Sequence, residues 1–184
     1  MVDASRTGLA RGAYHDFVLL LLRGILGLIF FAQGMTKLGW FGGTDPPGMG
    51  GLEQFLKVLG YEQTTALSWL LTGTEIVAGV LLVVGLLTPL AAAGVIGISL
   101  NGVFALSWAG GFIAYNGWIA YAVMAFAVAY FGPGRYSLHS NLSIRSRIGI
   151  PHLHDGSKAA SFALVLGVAA GLVVLIVFGP GFPN

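Results

Sequence analysis

Three strongly polar side chains, Arg23, Gln33 and Lys37, stand in the stretch Phe17–Leu38, which is otherwise apolar enough for lipid. Glu75 stands in a second such stretch, Ala66–Leu87, and Asn101 in a third, Pro89–Trp108. An ionised side chain at the centre of a bilayer costs about 2.5–3.5 kcal/mol on insertion scales. It persists there when it is paired, snorkels to an interface or lines a polar cavity. A guanidinium, an ammonium and a carboxylate at mid-depth could bind a small anion or a quinone oxygen, relay a proton, or hold helices in register.

Depth favours one pairing. At 1.5 Å per residue, Arg23 lies about 9 Å inside the start of its span, and Glu75 about 13 Å inside the start of its own from the opposite side. Those depths differ by less than about 10 Å, so an Arg23–Glu75 pair is expected. Gly27, Phe30, Gly34 and Lys37 fall on the Arg23 line of the helical wheel, with Gln33 adjacent. Thr72, Glu75 and Gly79 share one face of the second span, and Gly94, Gly97 and Asn101 one face of the third. Small residues beside polar ones let helices approach closely. The three stripes are therefore expected to face one another around a polar interior, its outer half framed by Trp69, Trp108, Tyr115, Trp118 and Tyr121. A purely structural reading competes: an ion pair that fixes register, Lys37 as an interface anchor, Asn101 as an interhelical hydrogen bond.

The elements that hold these residues follow from composition. Of 184 residues, 56% are hydrophobic and 9% charged, against about 25% charged in a soluble domain; mean hydropathy is +0.85. The fold class is all-α integral membrane. A crossing needs about 20 apolar residues. Besides the three stretches above, Phe112–Phe131 and Ala159–Phe178 qualify, giving a four-helix transmembrane bundle plus a fifth C-terminal helix. "LTPL" and "AGG" separate spans two, three and four, so these should be antiparallel neighbours. In the first outer loop Leu52, Phe55, Leu56 and Leu59 recur at helical spacing, which predicts a short amphipathic helix at the membrane surface or on the bundle's end. The first apolar run is too long for a signal-peptide core and is expected to stay in the product.

Arg6, Arg11, Arg135, Arg145, Arg147 and Lys158 fall on one side of these spans. The positive-inside rule puts that side, with the N-terminus, in the cytoplasm and the C-terminus outside. The bilayer is thus the first partner, and a net charge of +2 is too small to suggest nucleic acid. There is no cysteine, which excludes disulfides, thiolate metal sites and iron–sulfur clusters. His15, His139, His152 and His154 lie outside the expected spans, so a transmembrane haem is not expected. "IPHLHDG" reads as a solvated loop, and no metal site is assigned.

Over Arg23–Leu142 the sequence resembles the DoxX family of small bacterial membrane proteins. The resemblance rests on "RGILGLIFFAQGMTKL", on "LGYEQTTALSWLLTGTEIVAGVLLVVGLLTPLAA" and on "GPGRYSLHSNL". His139 stands where family members commonly have Asp. The resemblance implies a DoxX-like membrane domain over 1–142, followed over 143–184 by a linker and an added helix. It implies an accessory or anchoring membrane subunit of a redox assembly, respiratory or in oxidative-stress defence, in a bacterial plasma membrane beside other oxidoreductase subunits. No covalently bound cofactor is expected; a quinone, near Arg23 and Glu75, is the one such an assembly would bring. The alternatives are a catalytic subunit of a sulfur-compound:quinone oxidoreductase and a small transporter.

Overall fold

A computed structural model describes residues 4–41, 48–138 and 156–179, leaving aside the side chains of 4–13 and 106–110. Among these residues the chain is all helix: α1 (Ala4–Lys37), α2 (Gly48–Val58), α3 (Thr64–Val84), a helical stretch Thr88–Phe131, and the last helix, Gly156–Phe178. The stretch Thr88–Phe131 breaks at Gly111, whose φ of 65° and ψ of −166° reverse the chain; side chains with a Cβ rarely adopt such angles. The two pieces are α4 (Thr88–Ala105) and α5 (Gly111–Phe131), which makes the last helix α6. Five helical segments are long and apolar enough to cross a membrane: Tyr14–Lys37 of α1, then α3, α4, α5 and α6. Each expected span is there, its ends within about a turn of those read from hydropathy.

Two close helix approaches organise the bundle. A Cβ on Gly27 of α1 would stand 2.7 Å from the Gly79 carbonyl oxygen of α3, and one on Gly34 would stand 3.2 Å from that of Thr72. The backbones meet there because neither glycine has a side chain to hold them apart. On the other side, a Cβ on Gly97 of α4 would stand 3.0 Å from the Gly167 carbonyl oxygen of α6. The fifth span, which stands apart in the sequence, therefore packs along α4 and adds Ala160 and Ala163 to a core shared with Leu26, Phe30, Leu82 and Val95.

The stripe on α4 consequently departs from expectation. Gly94 touches Thr74 and Ala78 of α3, while Gly97 turns toward α6; only the stripes of α1 and α3 face each other along their length. Helix α2 packs on one end of the bundle, where Leu56 is buried with Tyr61 and Leu67 against Val174, Leu175 and Phe178. The Glu62 N–H donates to the Phe178 carbonyl at 2.8 Å, so α6 ends at this α2 end. The membrane segment of α1 begins at the other end, where the His15 ring meets Phe131 edge-on.

Candidate functional site

Lys37 is the last residue of α1. Side chains on a helix lean toward its N-terminus, so the Lys37 ammonium reaches back into the bundle rather than out from its end. There Nζ donates to both carboxylate oxygens of Glu75. The Glu75 side chain is 2% exposed and that of Lys37 21%. The pair borders a cavity of about 170 Å3 lined by Leu52, Phe55 and Leu56 of α2, by Tyr61, and by Leu71, Asn101 and Trp118 among others. A cavity of about 150 Å3 can take up benzene, so this one suits a single ring. Trp118 packs over Gly102 and meets Tyr121 edge-on, and Tyr121 meets Phe30 the same way. Burial pushes the Tyr61 phenol above its ordinary pKa, which keeps it neutral at the cavity wall.

Arg23 does not meet Glu75, which corrects the expected pair. Its Nη2 donates to the Tyr136 carbonyl, and its guanidinium occupies the space a Cβ on Gly85 would fill. Gly85 ends α3 with φ 74°; its N–H bonds to Leu82 at 3.2 Å and that of Leu86 to Leu81 at 2.9 Å, a Schellman closure. The cation thus sits at the carboxyl end of α3, where the helix dipole favours it. The reason for the misplaced pair is register. With Gly27 against Gly79 and Gly34 against Thr72, Arg23 is level with Val83, half a turn from Gly85, and Glu75 with Phe31, about 12 Å apart along the axis. Span one sits lower against span two than equal burial of their apolar runs suggests.

The segment "GPGRYS" after α5 is built for this contact. Gly132 and Gly134 take φ of 81° and 70°, the Ser137 hydroxyl donates to the Gly134 carbonyl at 2.9 Å, and the Arg135 N–H donates to Asp16 Oδ1 at 3.2 Å. The turn so formed presents the Tyr136 carbonyl to Arg23. The motif pieces of the sequence therefore converge in space: R-x₃-G of α1 on the glycine end of α3 and on GPG-x-x-S, and Lys37 on the Glu75 carboxylate. Residues 18–108 match the family model for DoxX. The chain carries a DoxX domain. No curated protein and no solved structure matches the chain.

The matched part of the DoxX domain runs from α1 through α4 and includes Lys37, Glu75, Asn101 and α2. Trp118 and Arg23's partner Tyr136 lie beyond it. Of the other expected site residues, Gln33 is half-buried, and its buried Oε1 has no partner among the described residues. Asn101 Nδ2 donates to the Gly97 carbonyl at 3.0 Å and the Gly171 carbonyl at 3.3 Å, tying α4 to α6, while its Oδ1 is buried without a described partner. Trp69 is 58% exposed and borders a lateral groove instead of the cavity. Tyr115 pairs edge-on with Phe112 and does not border the cavity. The Trp108 side chain, His139, His152, His154 and Asp155 lie outside the described residues. His15, expected outside the spans, falls within the first turn of one.

Sequence reasoning missed the roof and the partner exchange. Tyr61 and Leu56 carried a signal, since α2 is amphipathic and Leu56 lies on its apolar side; that this side faces Glu75 depends on the loop path. Lys37 carried a signal too, because a side chain in the last turn of a helix leans back toward its N-terminus; that it meets Glu75 depends on the register of α1 against α3.

Proposed function

We propose that this DoxX protein is an accessory, anchoring subunit of a membrane redox assembly whose α2-roofed cavity holds a quinone-type ring. The observation that carries the reading is the buried Lys37–Glu75 pair bordering a ring-sized, largely apolar space. The residues present fit such a group. Lys37 has three N–H donors, of which two are engaged by Glu75, leaving one for a carbonyl oxygen. Glu75 offers an acceptor to a ring hydroxyl, and Trp118 offers an aromatic wall. When bound, the quinone supplies the electron and proton capacity. The protein positions the ring, keeps bulk water out under α2 and holds the compensating charges. A chain without cysteine has no thiolate carrier of its own, so a partner subunit is assigned to deliver the electrons.

In this reading the protein lies in a bacterial plasma membrane with the Arg23 end of the bundle toward the cytoplasm, as the Lys and Arg distribution favours, and α2 toward the outside. Extraction in a gentle detergent, followed by identification of co-purifying proteins and assay of extracted quinone, tests the proposal. The expected result is an oxidoreductase partner, with quinone content that falls when Ala105, which lines the cavity, is enlarged by Ala105→Leu. Purification of this polypeptide alone, with quinone content insensitive to Ala105→Leu, overturns it.

A further inference from the structure

The two ends of α2 are fastened to the bundle in different ways. At its start Gly48 lies against α1: a Cβ there would stand 3.2 Å from the Lys37 carbonyl oxygen. The Thr72 hydroxyl donates to the thioether sulfur of the next residue, Met49, at 3.4 Å, and such a sulfur is a weak acceptor. The other end is held by apolar contact. Leu56 of α2 and Tyr61 just after it are buried with Leu67 of α3, and Val174, Leu175 and Phe178 of α6 close the cluster. The Glu62 N–H donates to the Phe178 carbonyl at 2.8 Å in the same place. About one turn earlier on α6, the Gly171 carbonyl accepts from Asn101 Nδ2, and Asn101 lines the cavity. Helix α6 therefore touches both the roof of the cavity and one of its walls.

The backbone on either side of α2 can turn while the helix itself stays wound. Gly48 takes φ 75° and Gly60 φ 81°, and glycine moves between left- and right-handed angles at little steric cost. Residues at element ends absorb the rotation of a hinged segment. From this arrangement we infer that α2 is a lid hinged at Gly48 and Gly60, and that the last turn of α6 is its latch. With the latch made, the lid is shut over Lys37 and Glu75. When Leu175 and Phe178 lose their hold, α2 turns away from the bundle's end and the pair opens to water. Access to the pair is thereby set by side chains of α6 that do not line the cavity. The lid acts on the cavity whatever ligand the cavity takes.

Thr72 is the reporter. It is 1% exposed and bonded to Met49 of the lid, and the chain has no cysteine, so Thr72→Cys supplies the sole thiol. The full chain in phosphatidylcholine nanodiscs is treated with water-soluble sulfonatoethyl methanethiosulfonate, and mass spectrometry follows the modified fraction with time. A buried thiol reacts through the open state, so its rate reads the open population. Leu175→Ala and Phe178→Ala, each added to Thr72→Cys, are expected to speed the reaction about tenfold or more, because truncating a packed side chain shifts an equilibrium by at least that much. Val168→Ala, on the same helix but packed against the main core, is expected to change the rate by less than about twofold. A rise shared by Val168→Ala is general loosening of the bundle and overturns the latch. An unchanged rate in the Leu175→Ala and Phe178→Ala variants overturns it too. If Thr72→Cys alone already reacts as fast as Gln54→Cys on the exposed side of α2, the lid is not shut and the inference falls.

Discussion

Replacing Lys37 by methionine should destabilise the protein more than replacing Glu75 by glutamine, although both substitutions break the same ion pair. Lys37→Met leaves a carboxylate that is 2% exposed with no counter-charge; removing one partner of a buried pair costs about 3–5 kcal/mol. Glu75→Gln leaves an ammonium that is already 21% exposed at the end of α1. It can swing to the interface, and the new amide keeps a hydrogen-bonding oxygen, so the cost is about 1–2 kcal/mol. The double variant strands no charge and should cost about as much as Glu75→Gln alone, leaving a coupling energy of at least about 2 kcal/mol. Reversible unfolding in mixed micelles, at one pH and one lipid-to-detergent ratio, gives all four corners of the cycle. Additive single effects, or a larger loss for Glu75→Gln than for Lys37→Met, would refute the argument.

Three further outcomes follow from the same geometry. Arg23→Met should cost about 1.5–3 kcal/mol, the range of a hydrogen bond to a charged group, and should add to Glu75→Gln within about 0.5 kcal/mol; measurable coupling in that unfolding cycle would restore the Arg23–Glu75 pair. Gly79→Ala should lose about 1–3 kcal/mol by overpacking, because its Cβ would stand 2.6 Å from the Phe31 nitrogen. Gly73→Ala, with open space around its Cβ, should be neutral or stabilising by up to about 1 kcal/mol, and the two melting curves compared side by side decide it. Since the chain lacks cysteine, Gln54→Cys on α2 and Leu138→Cys at the opposite end give single labelling sites. A membrane-impermeant maleimide should modify the first in intact cells and the second only after lysis; the reverse pattern inverts the proposed orientation.

The spans were legible because bilayer thickness and 1.5 Å per residue leave little freedom in where an apolar run of this length begins and ends. The hairpin at Gly111 and the amphipathic helix under Leu56 were legible for equally local reasons. The α1–α3 contact also showed on the helical wheel, since Arg23, Gly27, Phe30 and Gly34 line up and all four are buried. What hydropathy does not contain is the sliding of one helix along its neighbour. Lipid tolerates a shift of a few residues at either end of a span, yet a shift of that size exchanged Arg23 for Lys37 as the partner of Glu75. The register is set instead by Gly27 against Gly79 and Gly34 against Thr72, contacts that only coordinates reveal. The aromatic residues fell out in the same way: Trp118 borders the cavity because α5 folds back at Gly111 onto Gly102, whereas Trp69 sits on the lipid side of α3.

The central claim, a ring held beside Lys37 and Glu75 beneath α2, is tested most directly by photolabelling. An azido-quinone irradiated with the protein in nanodiscs, followed by peptide mapping, should mark Leu52–Leu56 and the Trp118 peptide, and excess unlabelled quinone should suppress those marks. Labels confined to lipid-facing positions such as Val173 and Ile176, unaffected by competitor, would contradict it.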